Sequence, residues 1–258
     1  MQVATLHRGT APLLISLPHD GTRLPDDIQP RLSASARTTP DTDWFVSRLY
    51  DFARGLGASI LVPSFSRYVI DLNRPPDDVS LYPGQNSTGL CPTLQFSGEP
   101  VYLAGQEPDA MEIATRLDRY WHPYHHELQC ELLRLRAEHG RVVLWEGHSI
   151  RSRVPFLFDG LLPDLNLGTA AGASCLPRTQ QRLEAVLGAQ SARSWVSNGR
   201  FKGGYITRHY ARPEENVEAI QLELAQCNYM DEDSGDYVEE KASALQPLIG
   251  DLLRAAIG

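Results

Sequence analysis

Short apolar runs alternate with segments of helical period along this chain, and that alternation limits the fold more than any other feature. "PLLISLP" (12–18), "ASILVP" (58–63), "RVVLWEG" (141–147) and "VEAIQLEL" (217–224) read as strands. Runs like the first suit strands covered on both faces. "SRYVIDL" (66–72) reads as a strand as well. Between them, "DTDWFVSRLYDFARGLG" places Trp44, Phe45, Leu49, Phe52, Ala53 and Leu56 at helical spacing, with Asp41 or Asp43 near its start and Gly57 as a stop. Residues 109–140 are helical on both sides of Pro123, which should kink or break them. "PRTQQRLEAVLGA" is a helix opened by proline. The C-terminal segment is an amphipathic helix interrupted at Pro247. Residues 74–108 and 155–177 read as loops. The expected fold is α/β, with three layers, a mostly parallel mixed sheet and helices on both faces. No linker or repeat divides residues 1–258, so one domain is expected.

Charge and cysteine usage exclude several classes. The chain has 258 residues and a net charge of −8, with no block of Lys or Arg. That argues against a surface that tracks nucleic-acid phosphates. Cys91, Cys130, Cys175 and Cys227 form no C-x-x-C pair, so a thiolate metal site is not expected and the thiols read as reduced. The apolar run near the N-terminus, about five residues, is too short for a secretory signal or a membrane span. A cytoplasmic location without a membrane partner is expected. Oligomeric state is not legible.

In open α/β sheets, ligands collect beyond the carboxyl ends of the strands. That rule selects His19, Asn73 with Arg74, His148 and Glu223. His148 lies in "VVLWEGHSIRS", an apolar run that ends abruptly in Glu146, Gly147, His148 and Ser149. Two histidines and one carboxylate with an open position form the ligand set of a catalytic zinc ion. Asp43, at the start of the helix after the His19 loop, is the carboxylate of choice, and Asp41 is the alternative. Each histidine taken singly also reads as a capped imidazole at a loop end. His122 and His126 are four residues apart, but Pro123 interrupts that turn and the pattern is not H-E-x-x-H. Ser149 is not in a G-x-S-x-G elbow. The Gly-rich stretch "NGRFKGGYITRHY" lacks P-loop spacing. Its Arg200, Lys202 and Arg208 either reach an anionic substrate or sit on a solvated hairpin.

"SLPHDGTRLP", "DTDWFVSRLYDFARGLGA", "SRYVIDLNRPPDD", "GHSIRS", "LFDGLLPDLNLGT", "NGRFKGGYITRHYARP" and "IQLELAQCNYM" occur in that order and together resemble the N-formylglutamate amidohydrolase family, the deformylases of histidine degradation. The resemblance implies a phosphorylase/hydrolase-like fold related to zinc carboxypeptidases and aspartoacylase. It implies one divalent metal, zinc, and hydrolysis of N-formyl-L-glutamate to formate and L-glutamate. His19 matches the first metal ligand and His148 the last. Related enzymes carry a Glu three residues after the first histidine; Thr22 stands there in this chain, so Asp43 is inferred as the carboxylate ligand. Asn73 and Arg74 match a pair that holds a substrate carboxylate, and Glu223 matches the general base. Arg67 and Arg208 are candidates to stabilise the oxyanion; Lys202 or Arg208 is a candidate for the second substrate carboxylate. Glu146 stands where family members often have Asp. Two other functions stay open: a related zinc amidohydrolase for another N-acyl amino acid, and a non-catalytic binder of a metal or small acid. Glu223 discriminates against the last, because a pure binder needs no carboxylate beside the metal.

Overall fold

Alternate residues of the central strands feed two separate apolar cores, one on each side of the sheet. The computed structural model describes residues 2–81, 84 and 86–258. In chain order the elements are β1 (Ala4–His7), β2 (Leu13–Ser16), α1 (Val46–Tyr50), β3 (Ser59–Pro63), α2 (Ala110–Arg116), α3 (His122–His139), β4 (Val142–Ile150), β5 (Leu165–Gly168), α4 (Pro177–Gly188), β6 (Trp195–Ser197), α5 (Tyr205–Tyr210), β7 (Val217–Ala225) and α6 (Glu239–Ile257). Among the described residues the strands form one sheet in the order β1-β3-β2-β4-β7-β5-β6. The central strands β3, β2, β4 and β7 are parallel. Strand β1 is antiparallel to β3, and β5, with β6 parallel beside it, runs against β7.

Leu13, Ile15, Val143, Trp145, Ile220 and Leu222 face one core, with Leu49 of α1, Leu183 and Leu187 of α4, and Leu245, Ile249 and Leu252 of α6. Leu14, Val142, Leu144 and Ala219 face the other, with Tyr124, Leu128, Leu132 and Leu135 of α3 and Ile206 of α5. This two-sided burial explains why the central strands are apolar without interruption. Each fully buried Leu or Ile contributes about 1.5–3 kcal/mol.

Several local expectations are corrected. "SRYVIDL" forms no strand; it is a buried, turning segment. Its Tyr68, Val69, Ile70 and Leu72 enter the second core as a loop would, without ladder pairing. The strands β1, β5 and β6 are short, and the sequence pattern does not announce them. Strand β4 runs to Ile150, so His148 lies within a strand and not beyond its end. Pro123 falls in the first turn of α3, after a π-helical stretch, Leu117–Trp121, joins α2 to α3. The widened turn accommodates the missing N–H and the bulk of the proline ring. Pro247 does not interrupt α6, which continues through it. Burial of the α6 apolar stripe outweighs a proline cost of roughly 3 kcal/mol. Among the described residues no helix is long and apolar enough to cross a membrane, and the four cysteines are unpaired.

Candidate active site

Strands β4 and β7 run in register, with His148 opposite Glu223 and Glu146 opposite Gln221. Side chains two apart on a strand share a face, so these four polar groups stand together near the carboxyl edge of the sheet. Gly147 lies between them and faces the other way. A Cβ there would sit 2.7 Å from Leu17 Cδ2 and 3.2 Å from the Tyr50 ring, so only glycine lets that core close behind the site.

His19 and Asp43 come from loops but are tied to each other and to β4. The Asp43 N–H donates to His19 O at 3.0 Å, and Asp43 Oδ2 accepts the Ser149 N–H at 3.0 Å. The His19 and His148 rings lie 4.9 Å apart. Both rings turn Nδ1 towards Asp43, at 3.8 Å for His19 and 3.0 Å for His148. Both turn Nε2 towards another buried carboxylate: His19 to Asp71 at 2.7 Å, His148 to Glu146 at 2.8 Å. An imidazole that donates Nε2–H to a carboxylate presents the Nδ1 lone pair on its opposite side. Donor atoms of His19, Asp43 and His148 all lie within 4.8 Å of one another. Two nitrogens and a carboxylate oxygen converge, each imidazole backed by an acid, which is the donor chemistry of a divalent-metal site.

The charge balance favours a cation at this point. Asp43, Asp71, Glu146 and Glu223 are all buried around the rings, and Arg67 is the buried guanidinium beside them. Uncompensated buried charge is costly, so protons remain where a cation is lacking. Burial raises Glu223 to about 8. Burial opposes the charged form of His148, but Glu146 and Asp43 outweigh it and hold the ring well above its ordinary value. Burial and Arg67 lower His19. Asp71 lies well below the usual carboxylate range despite its burial, because His19 and Arg67 face it.

A cleft of about 600 Å³ opens over this cluster, lined by His19, Asp43, Arg67, Asn73, Arg74, His148 and Glu223, among others. Asn73 is fixed by its own N–H on Asp71 Oδ1 at 2.9 Å and by the Ile206 N–H on its Oδ1 at 2.9 Å. A Cβ on Gly204 would lie 2.3 Å from Asn73 Nδ2, so glycine is required for α5 to approach. Arg74 donates through Nε and Nη2 to Thr88 O and Oγ1, at 2.7 and 3.3 Å. Among the described residues it forms no ion pair, and the internal pairing available with Asp71 or Asp77 is not made. Arg67 donates to Asp71 Oδ2 at 2.6 Å, while its buried Nε has no partner among the described residues.

The remaining candidates lie apart from the cluster. Asp41 accepts from Tyr68 Oη at 2.7 Å and from the Phe96 N–H at 2.8 Å. Lys202 and Arg208 are exposed and do not line the cleft, whereas Arg200 does. His122 and His126 sit on the exposed side of α3. Sequence reasoning did not assign Asp71 and Gln221 to the site. The signal for Asp71 was an acid embedded in the apolar run "YVIDL". For Gln221 it was the period-two spacing to Glu223.

Fold and site together define an α/β protein with a buried His–Asp–His cluster at the carboxyl edge of a mixed sheet, beneath a cleft that carries guanidinium groups. The chain belongs to the N-formylglutamate amidohydrolase family, whose model matches residues 11–230. It is 53% identical over 257 residues to the N-formylglutamate deformylase of Pseudomonas aeruginosa, covering 99% of this chain and 96% of that protein. It is 50% identical, with the same coverage, to the N-formylglutamate deformylase of Pseudomonas putida. The crystal structure of N-formylglutamate amidohydrolase from Ralstonia eutropha superposes with a TM-score of 0.82 at 25% identity, covering 100% of this chain and 96% of that one.

Proposed function

We propose that this protein is a metal-dependent amidohydrolase that cleaves N-formyl-L-glutamate to formate and L-glutamate, a reaction suited to the cytoplasm. The observation that carries the proposal is the paired arrangement of His19 and His148, each with Nδ1 at Asp43 and Nε2 on a buried acid, in the cleft that holds Glu223. Family membership and the two Pseudomonas relatives supply the substrate.

His19, Asp43 and His148 would hold one divalent ion, and their nitrogen and oxygen donors suit zinc. When bound, such an ion supplies Lewis acidity, which polarises a carbonyl and acidifies water. Glu223 takes the proton from the attacking water and returns it to the amide nitrogen as the C–N bond breaks. Burial raises its carboxyl to about 8 when no cation is bound, and positive charge at the neighbouring His–Asp–His cluster would favour the ionised form that accepts the proton. The Arg67 guanidinium lines the cleft, so its positive charge can favour the amide oxygen as charge develops there. Asn73 and Arg74 hold the α-carboxylate, with the guanidinium fork providing orientation. Asp71 and Glu146 keep the two imidazoles in one tautomer.

The test is formate release from N-formyl-L-glutamate by the full chain, before and after chelator, followed by zinc replacement. Activity lost to chelator and restored by zinc supports the proposal. No formate from zinc-replete protein, or turnover indifferent to metal removal, overturns it.

A further inference from the structure

The carboxyl end of β4 stands between two cavities. One is the cleft of about 600 Å³ over His19, Asp43 and His148. The other, of about 930 Å³, has Thr38, Pro40, Val154 and Pro155 among its lining residues. Among the described residues, Phe96, Ser149 and Ile150 line both, so they form the partition. Ile150 is fixed in the sheet, paired with Ala225 of β7. Ser149 gives its N–H to Asp43, and its hydroxyl accepts from Tyr229 Oη at 2.6 Å. Phe96 comes from a loop and is half-buried. Its N–H donates to Asp41 Oδ2 at 2.8 Å, and the Arg67 guanidinium lies 4.9 Å from its ring centroid. The partition and Asn73 flank His148 on opposite sides. Asn73 is held by the Ile206 N–H, and the next residue, Thr207, holds Glu146, two positions before His148 on β4. Ile150 is two positions after His148 on the same face, roughly 7 Å further along the strand. An amide whose α-carboxylate is at Asn73 and Arg74, and whose carbonyl carbon is at the His–Asp–His cluster, directs its acyl substituent away from nitrogen. That direction leads to Phe96 and Ile150.

We propose that Phe96 is the specificity-determining residue for the acyl group: its ring closes the partition, so that formyl, whose carbon bears only hydrogen, is accepted and longer acyl chains are refused. The inference rests on the amidohydrolase reading above and deepens it, because it separates a deformylase from an enzyme for other N-acyl amino acids. A methyl group in place of the formyl hydrogen has to displace a ring that Arg67 and the bond to Asp41 hold from two sides, and overpacking a held wall is unfavourable. Removing the ring joins the two cavities. Val154 and Pro155 then offer apolar cover to an alkyl chain.

The experiment measures L-glutamate release by the zinc-loaded full chain from N-formyl-, N-acetyl- and N-butyryl-L-glutamate, as kcat/KM. Wild type is expected to prefer formyl over acetyl by about 100-fold or more, within the range for one carbon in a shaped pocket. The acyl groups differ in intrinsic reactivity, but that difference is the same for every variant and cancels when ratios are compared. In Phe96→Ala the acetyl-to-formyl ratio is expected to rise by about 30-fold or more, and butyryl becomes a substrate. A gain on the larger compounds is not what general damage to the site produces. Phe96→Leu gives a rise of about tenfold, and it decides the matter if Phe96→Ala does not fold. A ratio within about threefold of wild type in Phe96→Ala, or in Phe96→Leu where that variant decides, overturns the proposal. So does a rise produced by Ile150→Ala and not by either Phe96 variant. Wild-type protein that releases no glutamate from any of the three removes the amidohydrolase reading itself, and the proposal with it. That outcome is distinct from an active enzyme whose acyl preference ignores Phe96.

Discussion

Glu146 and His148 stand two residues apart on one face of β4, and their side chains meet at 2.8 Å. The other Glu146 oxygen accepts from the Thr207 N–H at 3.1 Å and from the Thr207 hydroxyl. The acid is therefore anchored to α5 while it sets the His148 tautomer, as Asp71 does for His19. Glu146→Gln keeps the volume and removes the charge. Metal affinity should fall about 10- to 100-fold, the usual effect of losing an acid behind a ligating histidine. Chelator competition measures it, and unchanged affinity would remove Glu146 from the metal's support.

His148→Ala leaves two of three donors and should abolish stoichiometric zinc in purified protein. His122→Ala combined with His126→Ala should retain it, since both histidines lie on the exposed side of α3. Elemental analysis of the two proteins separates the sites; zinc retained in His148→Ala would locate the ion elsewhere.

Glu223→Gln preserves the shape of the β7 side chain and removes the proton acceptor. The expected result is a drop in kcat of about 100-fold or more at normal zinc content. Near-normal turnover would mean that another group moves the proton.

Arg74→Lys keeps a charge and loses the fork that Thr88 orients. The expected loss in kcat/KM is about 30- to 150-fold, from roughly 2–3 kcal/mol of charged hydrogen bonding. The α-amide of N-formylglutamate should be a poor substrate for wild type. Equal efficiency on the acid and the α-amide would show that Arg74 does not read the α-carboxylate.

His125 lies behind the Asn73–Arg74 segment. Its Nε2 meets Leu72 O at 2.9 Å, its Nδ1 meets Tyr210 Oη at 2.8 Å, and its ring stacks on Trp121. Burial lowers it to about 3, from an ordinary 6.5. The unfolded chain gains this proton as pH falls through about 6.5, whereas the folded chain does not until about 3. The stability it contributes is complete above that window and is lost as pH falls across it, at about 1.4 kcal/mol per unit. Urea unfolding at matched metal content should show a flatter loss for His125→Gln between about pH 6 and 4 than for wild type. Parallel curves would refute the assignment.

The sequence alone determined the layered α/β class, because uninterrupted runs such as "PLLISLP" and "VVLWEG" suit strands covered twice, and the intervening segments carry helical period. It also marked His19, His148 and Glu223, because polar groups that close an apolar run draw attention to themselves. What it could not decide was which distant groups meet. Asp41 and Asp43 look alike before α1, but only the bond from the Asp43 N–H to His19 O turns one of them to the imidazoles while the other goes to Tyr68. "SRYVIDL" has the local pattern of a strand, yet among the described residues no neighbouring strand supplies its hydrogen bonds, and its apolar side chains are satisfied by burial. Lys202, Arg208 and Arg200 are equivalent cations in one dimension. Their separation into exposed and cleft-facing groups depends on where the 198–204 loop meets residues 86 and 157, contacts that no local pattern encodes because they join segments more than forty residues apart.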